Sequence, residues 1–177
     1  MCNHKNYTTL ALVILIISSL SCNLGTNYDK VKVAKVIDGD TIELEVGQLV
    51  RYIGIDTPET RKFIGNSWVS VNQPFGEAAS EFNRKLVEGK FVRLEFDVQK
   101  KDKYNRLLAY CFTDREFVNA KLLEEGYGLL YTLPPNVKYV DLFVRLQKEA
   151  RQNNRGLWAA DEIISAKEAL KFIGKIR

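Results

Sequence analysis

Histidine is almost missing from this chain, with one residue in 177, and cysteine is rare, with three. The histidine is His4, and beyond Cys22 the only cysteine is Cys111. One thiol in that long remainder excludes an intramolecular disulfide within it. The lack of histidine excludes Ser-His-Asp hydrolases, Cys-His proteases, histidine zinc sites and nucleases with a histidine general base. Cys111, inside the apolar stretch Leu107–Phe112, reads as a small buried hydrophobe and not as a nucleophile. Charge of one sign is also in short supply, since 26 Lys and Arg face 22 Asp and Glu for a net +4. That balance permits a polyanionic partner without requiring one. Any chemistry must therefore run on carboxylates, cations and tyrosines, with or without a metal ion.

Long hydrophobic runs are lacking too. Leu10–Ile17 is unbroken but falls short of the roughly 20 apolar residues that span a bilayer. With Lys5 before it and Ser18, Ser19 and Ser21 after it, residues 1–22 read as a signal peptide. Cys22 at its end resembles a bacterial lipoprotein cleavage site, although Ser19 stands where that pattern carries an aliphatic residue. Three outcomes stay open: lipidation at Cys22 with tethering to a membrane, ordinary secretion, or an uncleaved anchor. In each the chain is exported, to the periplasm, the cell surface or beyond. The length suits one globular domain after the leader.

Residues 23–28 read as a polar tether. Val31, Val33 and Val36 suggest a first strand, and Ile42, Leu44 and Val46 alternate with polar residues in a second. A third runs from Leu49 to Ile55 behind Gly47-Gln48, which suits a two-residue turn. Asp56–Gln73 reads as an irregular loop. A helix spans about Pro74 to Gly89, with Ala78, Phe82 and Leu86 at four-residue spacing. Val92, Leu94 and Phe96 mark a fourth strand and Arg106–Phe112 a fifth, around the basic loop Gln99–Asn105. Helices are expected over Val118–Glu125 and Tyr139–Asn153, and 159–177 reads as a helical extension that docks on the domain. Five short strands with interposed helices indicate an α+β domain on a small barrel or strongly bent sheet, covering 29–158.

Taken as a hairpin with Val46 opposite Leu49, the second and third strands put Asp40 opposite Ile55 and diagonal to Asp56. Diagonal cross-strand neighbours lie about 7–8 Å apart. Two carboxylates at the open end of a hairpin repel unless a cation sits between them, and such hard oxygen donors suit Ca2+ or Mg2+. Alone, Asp38-Gly39-Asp40 reads as a turn. Arg51 alters the reading: a charge within an otherwise apolar strand needs a reason, and a guanidinium beside a metal site is a bidentate phosphate clamp.

In order, Val36-Ile-Asp-Gly-Asp-Thr41, Arg51-Tyr-Ile-Gly-Ile-Asp-Thr-Pro-Glu59, Asp102-Lys-Tyr-Asn-Arg106 and Leu108-Ala-Tyr110 resemble the signature of the staphylococcal nuclease (thermonuclease) family. The resemblance covers about Val31–Trp158, including the ending Gly156-Leu157-Trp158. It implies an OB-type five-stranded barrel with three helices, acting as a monomeric Ca2+-dependent endonuclease or exonuclease on DNA and RNA. By resemblance, Asp40 and Asp56 are metal ligands through carboxylates and Thr57 through its carbonyl. Glu59 is the general base or at least the group that orients the attacking water, and Arg51 and Arg106 hold the scissile phosphate. Lys103 and Tyr104 match positions that contact a neighbouring phosphate, where the alternative is an exposed loop. Tyr131, with Tyr127 as rival, matches a base-contacting tyrosine, where the alternative for either is a place in the core. A cationic groove with aromatic platforms suits single-stranded nucleic acid.

The chain departs from the family pattern in places. Its Asp40-to-Arg51 hairpin is short, Asn105 replaces a glycine, and Leu133 or Pro134 falls near a second stacking tyrosine. Two other classes remain as alternatives, a non-catalytic nucleic-acid-binding module and an adhesin-like surface lipoprotein. Retention of all five acidic and arginine positions favours the enzyme.

Overall fold

Alternating apolar residues build the sheet. In a computed structural model describing residues 26–59, 61–64, 67–70, 73 and 75–159, strand β1 (Val31–Asp38) buries Val31, Val33 and Val36. It pairs antiparallel with β2 (Thr41–Leu44), and β2 pairs with β3 (Leu49–Tyr52). β3 runs parallel to β8 (Leu107–Phe112), β8 pairs with β7 (Phe91–Glu95), and β7 returns to β1, closing a five-stranded OB-type barrel. Two register shifts along the β1–β2 ladder supply the bend that closure needs. The tether's start, the leader with Cys22, and the tail beyond Ala159 lie outside the described residues, among which no helix is long and apolar enough to cross a membrane.

The hairpin differs from its expectation. Leu44 N–H donates to the Gln48 carbonyl at 2.9 Å and Gly47 N–H to the Leu44 carbonyl at 2.8 Å. The connection is therefore a three-residue loop, Glu45-Val46-Gly47, with Gly47 in the left-handed region at φ 78°. With the tip moved back from Gly47-Gln48, the register shifts by three residues and Thr41 faces Arg51 in place of Gly54. Asp40 then lies beside Tyr52, whose N–H donates to the Asp40 carbonyl at 2.9 Å, and not opposite Ile55. The expected third strand is also two. It breaks at Ile53, and Gly54, at φ 83°, turns the chain into β4 (Gly54–Asp56), which leaves the barrel to pair with β9 (Leu129–Tyr131). β9 escapes a periodicity search because it is only three residues long.

Gly54 is tied to this break. A Cβ there would sit 2.5 Å from the Phe143 ring, in a conformation that L-residues adopt at a cost. Gly54→Ala is expected to destabilise the domain by about 2–5 kcal/mol, combining left-handed strain with overpacking. A denaturant melt with an unchanged midpoint would refute this.

The stretch read as a loop, Asp56–Gln73, contains a second hairpin, β5 (Arg61–Ile64) with β6 (Ser67–Ser70). Helix α1 (Gly76–Val87) follows, and Gly89 takes a left-handed φ of 72° just past its end. Its most buried face is Gly76, Ala79, Ser80, Asn83 and Val87; of the expected Ala78, Phe82 and Leu86, the last two pack half-buried against the core. Ala78 is exposed, while Phe82 stacks on Tyr127 with ring centroids 4.5 Å apart. Small residues at the helix start let it lie close against β1. Helices α2 (Val118–Glu124) and α3 (Val140–Gln152) complete the domain, Phe143 and Ala150 anchoring α3.

Candidate active site

The β1–β2 turn carries the first acidic group. Gly39 is tightly enclosed there: a Cβ would lie 2.5 Å from Thr57 Oγ1 and 2.9 Å from the Ala79 methyl. Asp40 is nearly buried, at 4% exposure. Its Oδ1 accepts from Thr41 Oγ1 at 3.0 Å and its Oδ2 from the Thr57 N–H at 2.9 Å. Asn83, fully buried in α1, accepts the Tyr52 hydroxyl at 3.1 Å and reaches the Asp38 carbonyl at 3.4 Å, linking the acidic turn to the helix.

Arg51 joins the two expected ligand carboxylates. One guanidinium nitrogen pairs with Asp40 Oδ2 and the other donates to Asp56 Oδ1 at 2.6 Å. The carboxylates thus come together as the hairpin argument required, but by a different route: the Gly54 turn swings Asp56 back, and the guanidinium spans the gap. Burial works against charge on Arg51, yet Asp40, Asp56, Asp38 and Glu59 outweigh it and raise its pKa. The carboxyls are short of positive charge. Burial, then the repulsion of Asp40, lifts Asp38 to about 8. Burial, opposed by Arg51 and reinforced by Asp40 and Glu59, lifts Asp56 to about 6.

That charge deficit is what a divalent cation would supply, and the oxygen donors are of the hard kind that Ca2+ takes. Among the described residues no three His, Cys, Asp or Glu side chains form a ligand cluster. Asp40 and Asp56 alone would leave such an ion to be completed by carbonyl, water or substrate oxygens.

Arg106 approaches from the basic loop. Asp102 shapes that loop by accepting the backbone N–H of Tyr104 at 2.9 Å and of Arg106 at 3.0 Å. Its Oδ2 also accepts Arg106 Nε at 2.7 Å. Asn105 takes a left-handed φ of 65°, which asparagine tolerates where the family pattern has glycine. Lys103 and Arg106 both sit over the exposed Tyr104 ring, 5.0 and 5.6 Å from its centroid.

A single cleft of about 630 Å³ is lined by all nine of the expected metal, catalytic and substrate positions in the domain: Asp40, Arg51, Asp56, Thr57, Glu59, Lys103, Tyr104, Arg106 and Tyr131. Of the two candidate tyrosines, Tyr131 lines the cleft beside the β4–β9 pairing, while Tyr127 packs on Phe82. Leu133, 59% exposed, also lines the cleft. Sequence reading assigned no role to Asp38, Gln73, Asn83 or Asp102. Asp102 had a signal, an acid four residues before Arg106; Gln73 and Asn83 had none.

A closed OB-type barrel whose strand ends carry carboxylates and arginines around one cleft defines the class. A profile described as "Staphylococcal nuclease homologue" matches residues 49–160. The chain is 45% identical over 129 residues to the thermonuclease of Staphylococcus intermedius, covering 71% of this chain and 74% of that one. It is 40% identical over 138 residues to the thermonuclease of Staphylococcus hyicus, covering 76% and 79%. It is 42% identical over 130 residues to endonuclease YncB of Bacillus subtilis, covering 71% and 59%. The chain belongs to the staphylococcal nuclease family.

Proposed function

We propose that this protein is a Ca2+-dependent nuclease that hydrolyses phosphodiester bonds in DNA and RNA, preferring single-stranded regions. The observation that carries the reading is the convergence of Asp40, Arg51, Asp56, Glu59 and Arg106 on one cleft. The names of the relatives, thermonuclease and endonuclease, point the same way. Asp40, Asp56 and the Thr57 carbonyl would hold Ca2+, which when bound polarises the phosphoryl oxygens. Glu59 takes the proton of the attacking water. Arg51 and Arg106 bind the scissile phosphate and offset the negative charge that builds on it in the transition state. Lys103 and Tyr104 hold the next phosphate, and Tyr131 offers a face to an unpaired base.

In this reading residues 1–22 export the chain, Cys22 carries a lipid that tethers it to a membrane, 29–158 act as a monomeric domain, and 159–177 follow as an accessory extension. The testing experiment is digestion of a single-stranded oligonucleotide by the purified protein in Ca2+. Cleavage is expected, faster than on the matched duplex. Intact oligonucleotide after prolonged incubation would leave only nucleic-acid binding or adhesion as readings. A mass spectrum of the chain purified from bacterial membranes tests the lipid, and an unmodified Cys22 would remove it.

A further inference from the structure

Glu59 lies on the irregular stretch Thr57–Glu59, outside any strand or helix, so the barrel ladder does not hold it. Beyond it the chain runs out through the β5–β6 hairpin and comes back at Gln73. There the two residues are bound in both directions. Glu59 N–H donates to Gln73 Oε1 at 2.8 Å, and Gln73 N–H donates to the Glu59 carbonyl at 3.2 Å. A side-chain amide thus stands in for a missing ladder partner. Three residues on, Gly76 opens α1 against the same peptide. A Cβ at Gly76 would lie 3.0 Å from the Glu59 carbonyl oxygen and 3.1 Å from the Pro58 carbonyl oxygen. The Glu59 carboxylate itself has a buried Oε2 with no hydrogen-bond partner. Its aim is therefore inherited from its backbone, and that backbone is seated by Gln73 in front and Gly76 behind.

We infer that Gln73, backed by Gly76, is the positioning residue for Glu59 in the hydrolytic step, an inference that rests on the nuclease reading. The physical demand is tight tolerance: a general base misplaced by about 1 Å can cost on the order of 10²-fold in rate. Binding of the strand and of the metal uses other groups, so a displaced Glu59 lowers turnover and leaves affinity alone.

The test measures kcat, KM, calorimetric Ca2+ affinity and thermal midpoint for wild type, Gln73→Met and Gly76→Ala. Methionine keeps the reach of glutamine and removes the acceptor. Its kcat is expected to fall about 10- to 100-fold, with KM for a single-stranded oligonucleotide and Ca2+ affinity within about twofold of wild type. Gly76→Ala raises helix propensity at the start of α1, so a purely structural role predicts an unharmed enzyme. Displacement of Glu59 by the added methyl instead predicts a kcat lower by about fivefold or more at a midpoint close to wild type. If Gln73→Met fails to fold, Gly76→Ala decides. Unchanged kcat in the folded variants, or KM and Ca2+ affinity worsening in step with kcat, overturns the inference. A wild-type protein that binds no Ca2+ and cleaves nothing overturns the nuclease reading instead, and this inference with it.

Discussion

Replacing Glu59 with glutamine is expected to lower kcat on the order of 10²- to 10⁴-fold, the usual contribution of a general base. The amide is isosteric and keeps the backbone pairing with Gln73, so the seat is unaltered. Among the described residues Glu59 makes no salt bridge, and its charge adds to a crowd of carboxyls around a single guanidinium. Neutralising it removes repulsion and breaks no ion pair. The thermal midpoint is therefore expected to stay level or rise slightly while turnover collapses. Steady-state kinetics, a melt and oligonucleotide binding on one preparation separate these effects. A kcat within tenfold of wild type would show that water is activated by another group.

Chelation of divalent metal is expected to abolish cleavage, and Ca2+ in excess of chelator to restore it. The reasoning starts from charge: Asp38, Asp40, Asp56 and Glu59 surround Arg51, and that one cation is engaged by both expected ligand carboxylates. Without an added cation the phosphate would meet an acidic wall, with the clamp facing the wrong partners. Two protein carboxylates make a weakly charged site, so loose binding is expected. An ion that binds only the folded state raises the midpoint by mass action. Millimolar Ca2+ is accordingly expected to lift the melting temperature as well as activity, giving a readout independent of turnover. Full activity in chelator would sink the metal-dependent reading.

Much of this site was legible because its chemistry is concentrated in short segments. Asp40, Arg51, Asp56, Thr57 and Glu59 fall within 20 consecutive residues, and Asp102 to Arg106 form one compact loop. Geometry was less legible. Apolar alternation located β2 and β3 but could not place the loop between them, and a tip at Glu45-Val46-Gly47, with Gly47 in the left-handed region, moved every cross-strand pair by three residues. In α1 the four-residue period was correct and Phe82 and Leu86 do pack half-buried against the core, but the deepest face lies to one side of them. A helix that buries Gly76, Ala79, Ser80 and Asn83 against a strand has no large apolar stripe to announce its inner face.

By itself the sequence determined what chemistry is available: no histidine mechanism, hard oxygen donors for a metal, and cations for a phosphate. Residue types settle that without coordinates. Only the tertiary structure decided which groups meet. The Gly54 turn brings Asp56 back to Arg51, the β4–β9 pairing carries Tyr131 into the cleft, and the neck of the β5–β6 hairpin sets Gln73 against Glu59. Those contacts join residues up to 77 positions apart, as Gly54 and Tyr131 are. Short-range pattern cannot encode them, because barrel closure and the loops between strands set them.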